Sequence, residues 1–296
     1  MRELTSPTTV REIIKAHGFK VRKALGQNFL MDANIIDKIV RAANLSENDL
    51  AFEIGPGLGV LTRRLAQEAG RVLAVEIDQN LLPILNETLA DLPKAEVIQA
   101  DARKVDFDQL AAERTQGQFG PGGKAYKLVA NLPYYITTPL LLHLLTSGFN
   151  LELLVVMIQK EVADRLQASP GGKDYGSLSV VVQYYTVPEI VCKVPKTVFY
   201  PVPDVDSAVI RLTRRPVPPV QLRNEETFFK VVRAAFGQRR KTLINALTGS
   251  GLASKETWLS VLNETGLDPA RRGETLSLEE FAALANQFWL LREEAW

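Results

Sequence analysis

The sequence predicts an α/β protein: a mostly parallel sheet covered by helices, followed by a smaller all-helical region. Three observations carry this reading. From about residue 50, short apolar runs alternate with amphipathic segments, the pattern of strand–helix–strand units. The runs are apolar on both faces, as strands buried under helices must be. After "RRPVPPV" the strand-like runs stop and only helical segments follow. The expected domains are therefore residues 1–217 and 218–296, with the boundary at the proline-rich stretch.

The expected strands, in order, are Leu50 to Ile54, Arg71 to Ile77, Glu96 to Ala100, Tyr126 to Ala130 and Leu151 to Ile158. "PEIVCKV" and "SAVIRLTR" add two more, joined by the proline-punctuated "PKTVFYPVPDVD". Helices are expected near Leu58 to Glu68, Gln79 to Ala90 and Thr138 to Thr146, and again after "SPGGKDYGS". Glu113 to Lys124, rich in Gly and Gln, reads as a surface loop without an assigned role.

Composition narrows the function classes. With 296 residues and 46% hydrophobic content, the chain can bury a large core. The longest apolar stretch, "LELLVVMI", is too short to cross a bilayer, and the N-terminal residues form no signal-type apolar segment, so a cytoplasmic protein is expected. One cysteine, Cys192, allows no internal disulfide, and two distant histidines make a His-rich metal site unexpected; no metal is assigned. The net charge of +1 hides local asymmetry. Residues 207–247 hold nine Lys/Arg against Glu225 and Glu226, and residues 10–30 hold Arg11, Lys15, Lys20, Arg22 and Lys23 against Glu12. Such stretches suit phosphate contacts or simply solvated helix faces, and the sequence leaves both open.

The strand ends carry the chemistry. "FEIGPGLGVLT" runs from a strand into a helix through Gly55, Gly57 and Gly59, which permit a tight turn and close ligand approach at a helix N-terminus. A dinucleotide fingerprint would read G-x-G-x-x-G; here the third glycine comes one residue early and Glu53 precedes the first. The E-x-G-x-G-x-G order resembles the first motif of S-adenosylmethionine-dependent methyltransferases. Glu76 ends the second strand, where a carboxylate can accept from both ribose hydroxyls of a nucleoside. Asp101 ends the third, where it could accept from an adenine amino group. Each acid alone is often a helix cap, but features at three consecutive strand ends place one nucleoside-sized ligand across the sheet's carboxyl edge.

The fourth strand ends at the same edge in Asn131, Leu132, Pro133 and Tyr134. An amide carbonyl and the Leu132 carbonyl, its turn fixed by Pro133, offer two acceptors for a substrate NH2. Accepting both hydrogens of an exocyclic amine favours a pyramidal nitrogen whose lone pair can reach a sulfonium methyl, a stabilisation of transition-state geometry. Tyr134 supplies a face on which a base can stack.

"NLPY" is also the pattern of the amino-methyltransferase motif. "KALGQNFL", "EIGPGLGVLT", "VEID", "NLPYYITTPLL", "MIQKEVADRL", "VFYPVPDVDSAVIRL" and "RAAFGQRRKTLINAL" together resemble the ribosomal RNA adenine N6,N6-dimethyltransferases over most of residues 23–247. The resemblance implies a Rossmann-like fold with a seven-stranded mostly parallel sheet. It implies S-adenosylmethionine as cofactor, S-adenosylhomocysteine as product, and contacts from Asn28, Leu30, Gly55, Gly57, Glu76, Ile77, Asp101, Ala102 and Asn131. It implies Phe199 as the wall of the base pocket opposite Tyr134; core burial of Phe199 is the alternative reading. The implied substrate is two adjacent adenosines near the 3′ end of 16S rRNA in the immature small ribosomal subunit, doubly methylated; a monomer is expected. Arg22, Lys23, Arg233, Arg239, Arg240 and Lys241 are the candidate RNA contacts, the last three in "FGQRRKTLINAL", which reads as a basic helix opening the small domain. A large-subunit RNA methyltransferase, an assembly factor acting by occupancy, and an NAD-binding oxidoreductase are the competing readings.

Overall fold

The computed structural model describes residues 4–22 and 25–293. Its chain falls into two compact units. One holds the residues up to Ala163 together with Val187–Arg214; the other holds Asp164–Thr186 and the chain from Arg215 onward.

The first unit contains β1 (Phe29–Leu30), β2 (Leu50–Ile54), β3 (Arg71–Glu76), β4 (Ala95–Gln99), β5 (Tyr126–Asn131), β6 (Leu151–Gln159), β7 (Thr186–Val194), β8 (Phe199–Tyr200) and β9 (Ser207–Arg214). Seven of these form one sheet in the order β4-β3-β2-β5-β6-β9-β7. The pairs from β4 across to β6 are parallel, and β9 runs antiparallel to β6. β2 and β5 are fully or almost fully buried, which accounts for their unbroken apolar runs. The order reverses between β2 and β5, the kind of switch point beside which open α/β sheets bind ligands.

Helices α1 (Pro7–Ala16), α2 (Ala33–Ala43), α3 (Val60–Glu68), α4 (Leu82–Thr88), α5 (Phe107–Thr115) and α6 (Thr137–Thr146) complete this unit, with the start of α7 (Lys160–Gln167). Two apolar clusters hold it together. Ile35, Ile36, Ile39 and Val40 of α2 and Leu61 and Leu65 of α3 bury against sheet residues Ala51, Val72, Val129, Val155 and Val209. Val10 and Ile13 of α1 pack with Ile84 and Leu85 of α4 and with Phe29. The small sheet β1–β8 lies between the two clusters: Leu30 pairs with Phe199 and joins the first, while Phe29 pairs with Tyr200 and joins the second.

The second unit is helical: α8 (Ser177–Tyr185), α9 (Glu225–Gly237), α10 (Leu243–Gly249), α11 (Lys255–Glu264) and α12 (Leu278–Glu293). Its core includes Trp258 stacked on Phe288 at 4.4 Å and a cluster of Tyr184, Tyr185, Phe228 and Phe229. That cluster explains why Asp164–Thr186 groups with the C-terminal helices rather than with residues 1–217, as sequence order suggested. Both tyrosine hydroxyls of α8 also donate to Glu225 on α9.

Two further expectations need correction. Glu113 to Lys124 is not loop throughout: α5 runs to Thr115, capped at its start by Asp106, whose carboxylate accepts from the Gln109 amide. The remainder is the expected surface loop, exposed on either side of the buried Phe119 and Gly120 and held by Asn150, which donates to the Gly120 and Gly123 carbonyls. The basic residues Arg239, Arg240 and Lys241 do not lie on a helix, because α9 ends at Gly237 and α10 begins at Leu243. Among the described residues no helix is long and apolar enough to cross a membrane.

Candidate active site

At the carboxyl edge of β2, β3 and β5 lies a cleft of about 1070 Å³, its open mouth included. The turn from β2 into α3 forms its floor. Gly55, Gly57 and Gly59 all have positive φ, at 70°, 59° and 85°. At Gly57 the requirement is double, since a Cβ there would also meet the Phe29 ring at 3.0 Å.

The acidic residues differ in their surroundings. Glu53 is 1% exposed and its Oε2 has no hydrogen-bond partner. Burial pushes its carboxyl up to about 8. Glu76 is also buried, and burial followed by the neighbouring Asp78 charge raises it to about 7, although the Asp78 amide donates to its Oε1 at 2.7 Å. Asp101 behaves oppositely. The Arg103 guanidinium donates to both its oxygens, from Nε at 2.9 Å and from the terminal nitrogen at 2.7 Å, and holds it below the usual carboxylate range. Ile77 exposes an apolar side chain at the same edge, 44% accessible, while Ala102, which also lines the cleft, is buried.

The wall opposite is built from β5 and the segment before β1. Asn131 Nδ2 donates to the Asn28 carbonyl oxygen at 3.1 Å. This uses the donor end of the amide and leaves Oδ1 as its acceptor. The Leu132 amide donates to Met157 at 3.0 Å, and Pro133 at φ −58° and ψ 130° turns the chain into α6. The Pro133 carbonyl accepts from Ile136 N–H and the Thr137 hydroxyl. Half-buried Tyr134 has its hydroxyl 2.7 Å from that of Ser207 on β9. Tyr135 is exposed at the mouth.

Asn28, Leu30, Gly55, Gly57, Glu76, Ile77, Asp101, Ala102, Asn131, Leu132, Pro133 and Tyr134 thus line one cleft. Phe199 does not. Its side chain is 1% exposed in the core among residues of α2 and the sheet, because register with Leu30 turns it to the inner face of β8. The expectation of Phe199 as a wall facing Tyr134 is not met by this geometry. Sequence reasoning also left out Gln27 and Ser207, which reach the site through contacts between distant parts of the chain, and Arg103, which reaches it through its neighbour Asp101.

The candidate RNA contacts are scattered. Arg22 stands beside the cleft, 3.4 Å from Asp78, and Lys23 lies outside the described residues. In the helical unit Arg233, Arg240 and Lys241 are exposed, whereas Arg239 is tied to Glu274 at 2.7 Å and to the Lys173 carbonyl.

The family model described as ribosomal RNA adenine dimethylase matches residues 18–284. A ribosomal RNA small subunit methyltransferase A from Pelotomaculum thermopropionicum is 62% identical over 96% of this chain and 97% of its own length. That from Clostridioides difficile is 50% identical over 97% of both chains. Among solved structures, a dimethyladenosine transferase from Plasmodium falciparum superposes with a TM-score of 0.73 at 26% identity, over 90% of this chain and 98% of that one. The 23S rRNA methyltransferase ErmE superposes at 0.65 and 27% identity, over 88% and 99%.

Proposed function

Because this chain belongs to the ribosomal RNA adenine dimethylase family, we propose that it methylates N6 of two adjacent adenosines near the 3′ end of 16S rRNA during small-subunit assembly, giving N6,N6-dimethyladenosine. It is an rRNA methyltransferase dependent on S-adenosylmethionine. The observation that carries the site assignment is the Asn131 amide, anchored by its donor end to Asn28 so that its oxygen remains an acceptor at the cleft.

When bound, S-adenosylmethionine supplies a methyl group on a positively charged sulfur; every other requirement falls on this chain. The Glu76 carboxylate accepts from ribose hydroxyls, and Ile77 covers one face of the cofactor's base. Asp101 accepts from that base's amino group, sharing its carboxylate with Arg103. The positive φ of the glycine turn lets the ligand lie against backbone at the start of α3.

For the RNA adenine, Asn131 Oδ1 and the Leu132 carbonyl accept the two N6 hydrogens, and Tyr134 stacks on the ring. Stacking offsets part of the few kcal/mol needed to unstack the target base. The second methylation needs only one of these acceptors, since a monomethylated amine keeps one hydrogen. The departing proton passes to water, and no group of the chain is required to take it. Phe199 supports this pocket from beneath and does not wall it. Exposed Arg233, Arg240 and Lys241 contact RNA phosphates as a monomer engages the immature subunit in the cytoplasm.

Methyl transfer from tritium-labelled S-adenosylmethionine to immature small subunits, compared with protein-free large-subunit RNA, tests the substrate. Label entering small-subunit RNA supports the reading; label entering large-subunit RNA alone refutes it.

A further inference from the structure

Asp78 is a buried acid that neither the glycine turn nor the base pocket explains. Its side chain is 0% exposed, yet it stays anionic: hydrogen bonds hold its carboxyl below the usual range despite burial. Oδ1 accepts from the Asn80 amide at 3.1 Å and from Asn80 Nδ2 at 2.6 Å, with the Arg22 guanidinium 3.4 Å away. Oδ2 accepts from Gln27 Nε2 at 2.9 Å.

Gln27 is occupied at both ends. Its Oε1 accepts from the Arg22 backbone amide at 2.8 Å, closing the loop that leads to β1. The residues on either side of this contact are those that line the cleft. The Asp78 amide donates to Glu76, and the Asn28 carbonyl accepts from Asn131. A continuous chain of hydrogen bonds and short backbone links therefore runs from Glu76 through Asp78, Gln27 and Asn28 to Asn131.

We infer that Gln27 is a positioning residue, latching the segment before β1 to the loop after β3 so that Glu76 and Asn131 face one ligand together. The inference rests on the proposed cofactor site. With its carbonyl engaged and one amide hydrogen committed, Gln27 has little left to offer a ligand directly. Its loss would leave the buried Asp78 anion one donor short and free the Asn28 carbonyl to drift from Asn131.

The chemistry allows a reciprocal exchange as a test. In the double variant Gln27→Glu/Asp78→Asn, the new amide at position 78 donates to the new carboxylate at position 27. That carboxylate still accepts from Arg22 N–H, and the position 78 carbonyl still accepts from Asn80. Calorimetric titration with S-adenosylmethionine, at pH 8 and with kcat and KM measured in parallel, should give at least about tenfold weaker binding for Gln27→Ala and for Gln27→Glu. Both variants should also lose kcat, because Asn131 loses its anchor, and the double variant should return to within about threefold of the starting affinity.

Wild-type binding with unchanged affinity in Gln27→Ala would overturn the latch and leave the cofactor site standing. A double variant as weak as Gln27→Glu would overturn it too. Failure of the wild type to bind S-adenosylmethionine would instead refute the cofactor reading itself.

Discussion

The Asn131 side-chain amide donates to the Asn28 carbonyl oxygen at 3.1 Å, across 103 residues of sequence. This bond decides which end of the amide faces the cleft. Asn131→Asp keeps the acceptor oxygen but replaces the donor with a second oxygen that cannot donate when ionised, so a carboxylate would face a carbonyl oxygen and swing away. Losing such a partly buried bond costs about 1.5–3 kcal/mol, a roughly 10- to 150-fold fall in kcat. Steady-state methyl transfer checks this, and an Asn131→Asp enzyme with undiminished kcat would contradict the orienting role.

Tyr134 and Ser207 make the second orienting pair, their hydroxyls 2.7 Å apart and Ser207 fully buried. Ser207→Ala removes no part of the proposed stacking face, yet it frees the ring. We expect Ser207→Ala and Tyr134→Phe each to raise KM for RNA about fivefold, roughly 1 kcal/mol, and the double variant to be no worse than either. Tyr134→Ala, which removes the face, should cost about 1–3 kcal/mol. Additive effects of the first two substitutions would mean that the pair does not act as a unit.

Phe199 separates a core role from a base-contact role. Buried at 1% exposure among aliphatic residues, it should cost about 3–5 kcal/mol of stability on Phe199→Ala. Phe199→Leu, which conserves most of the volume, should cost less than about 1.5 kcal/mol and leave KM for RNA nearly unchanged. Denaturant unfolding read beside methyl-transfer kinetics distinguishes the two. A Phe199→Leu enzyme of normal stability with a sharply raised KM would restore the stacking assignment.

The cleft carries a pH signature. Glu53 and Glu76 are raised from 4.5 to about 8 and about 7. Each therefore contributes stability that is complete below about 4.5 and is lost as pH rises through its folded value. The ligand-free protein should lose on the order of 6 kcal/mol between pH 5 and 8 from this source, the larger part of it from Glu53. Glu53→Gln should flatten much of that fall, since an amide mimics the neutral acid. Cofactor affinity runs the other way: Glu76 accepts best when ionised, so binding should strengthen as pH rises through 7. Unfolding curves and titrations at pH 5, 6, 7 and 8 would reveal either sign reversed.

Much of this site is legible along the chain. Gly55, Glu76, Asp101 and Asn131 stand at the ends of apolar runs, and the period of a parallel sheet brings strand ends to one edge. Helix α5 is not among the elements read from the sequence, although Asp106 three residues before Gln109 is a cap-type residue in the right place. What no local pattern carries is long-range register. Whether Phe199 faces the core depends on its pairing with Leu30, and a one-residue slip would turn it out. The Gln27–Asp78 and Tyr134–Ser207 bonds span 51 and 73 residues. The grouping of Asp164–Thr186 with the C-terminal helices rests likewise on aromatic packing against α9.

The most direct measurement is nucleoside analysis of small-subunit RNA after reaction with wild-type protein and with Asn131→Ala, each with its S-adenosylmethionine affinity measured. The account predicts N6,N6-dimethyladenosine from the wild type and a loss of at least about 100-fold in the variant, with cofactor affinity changed much less. Dimethyladenosine formed by Asn131→Ala at the wild-type rate would contradict it.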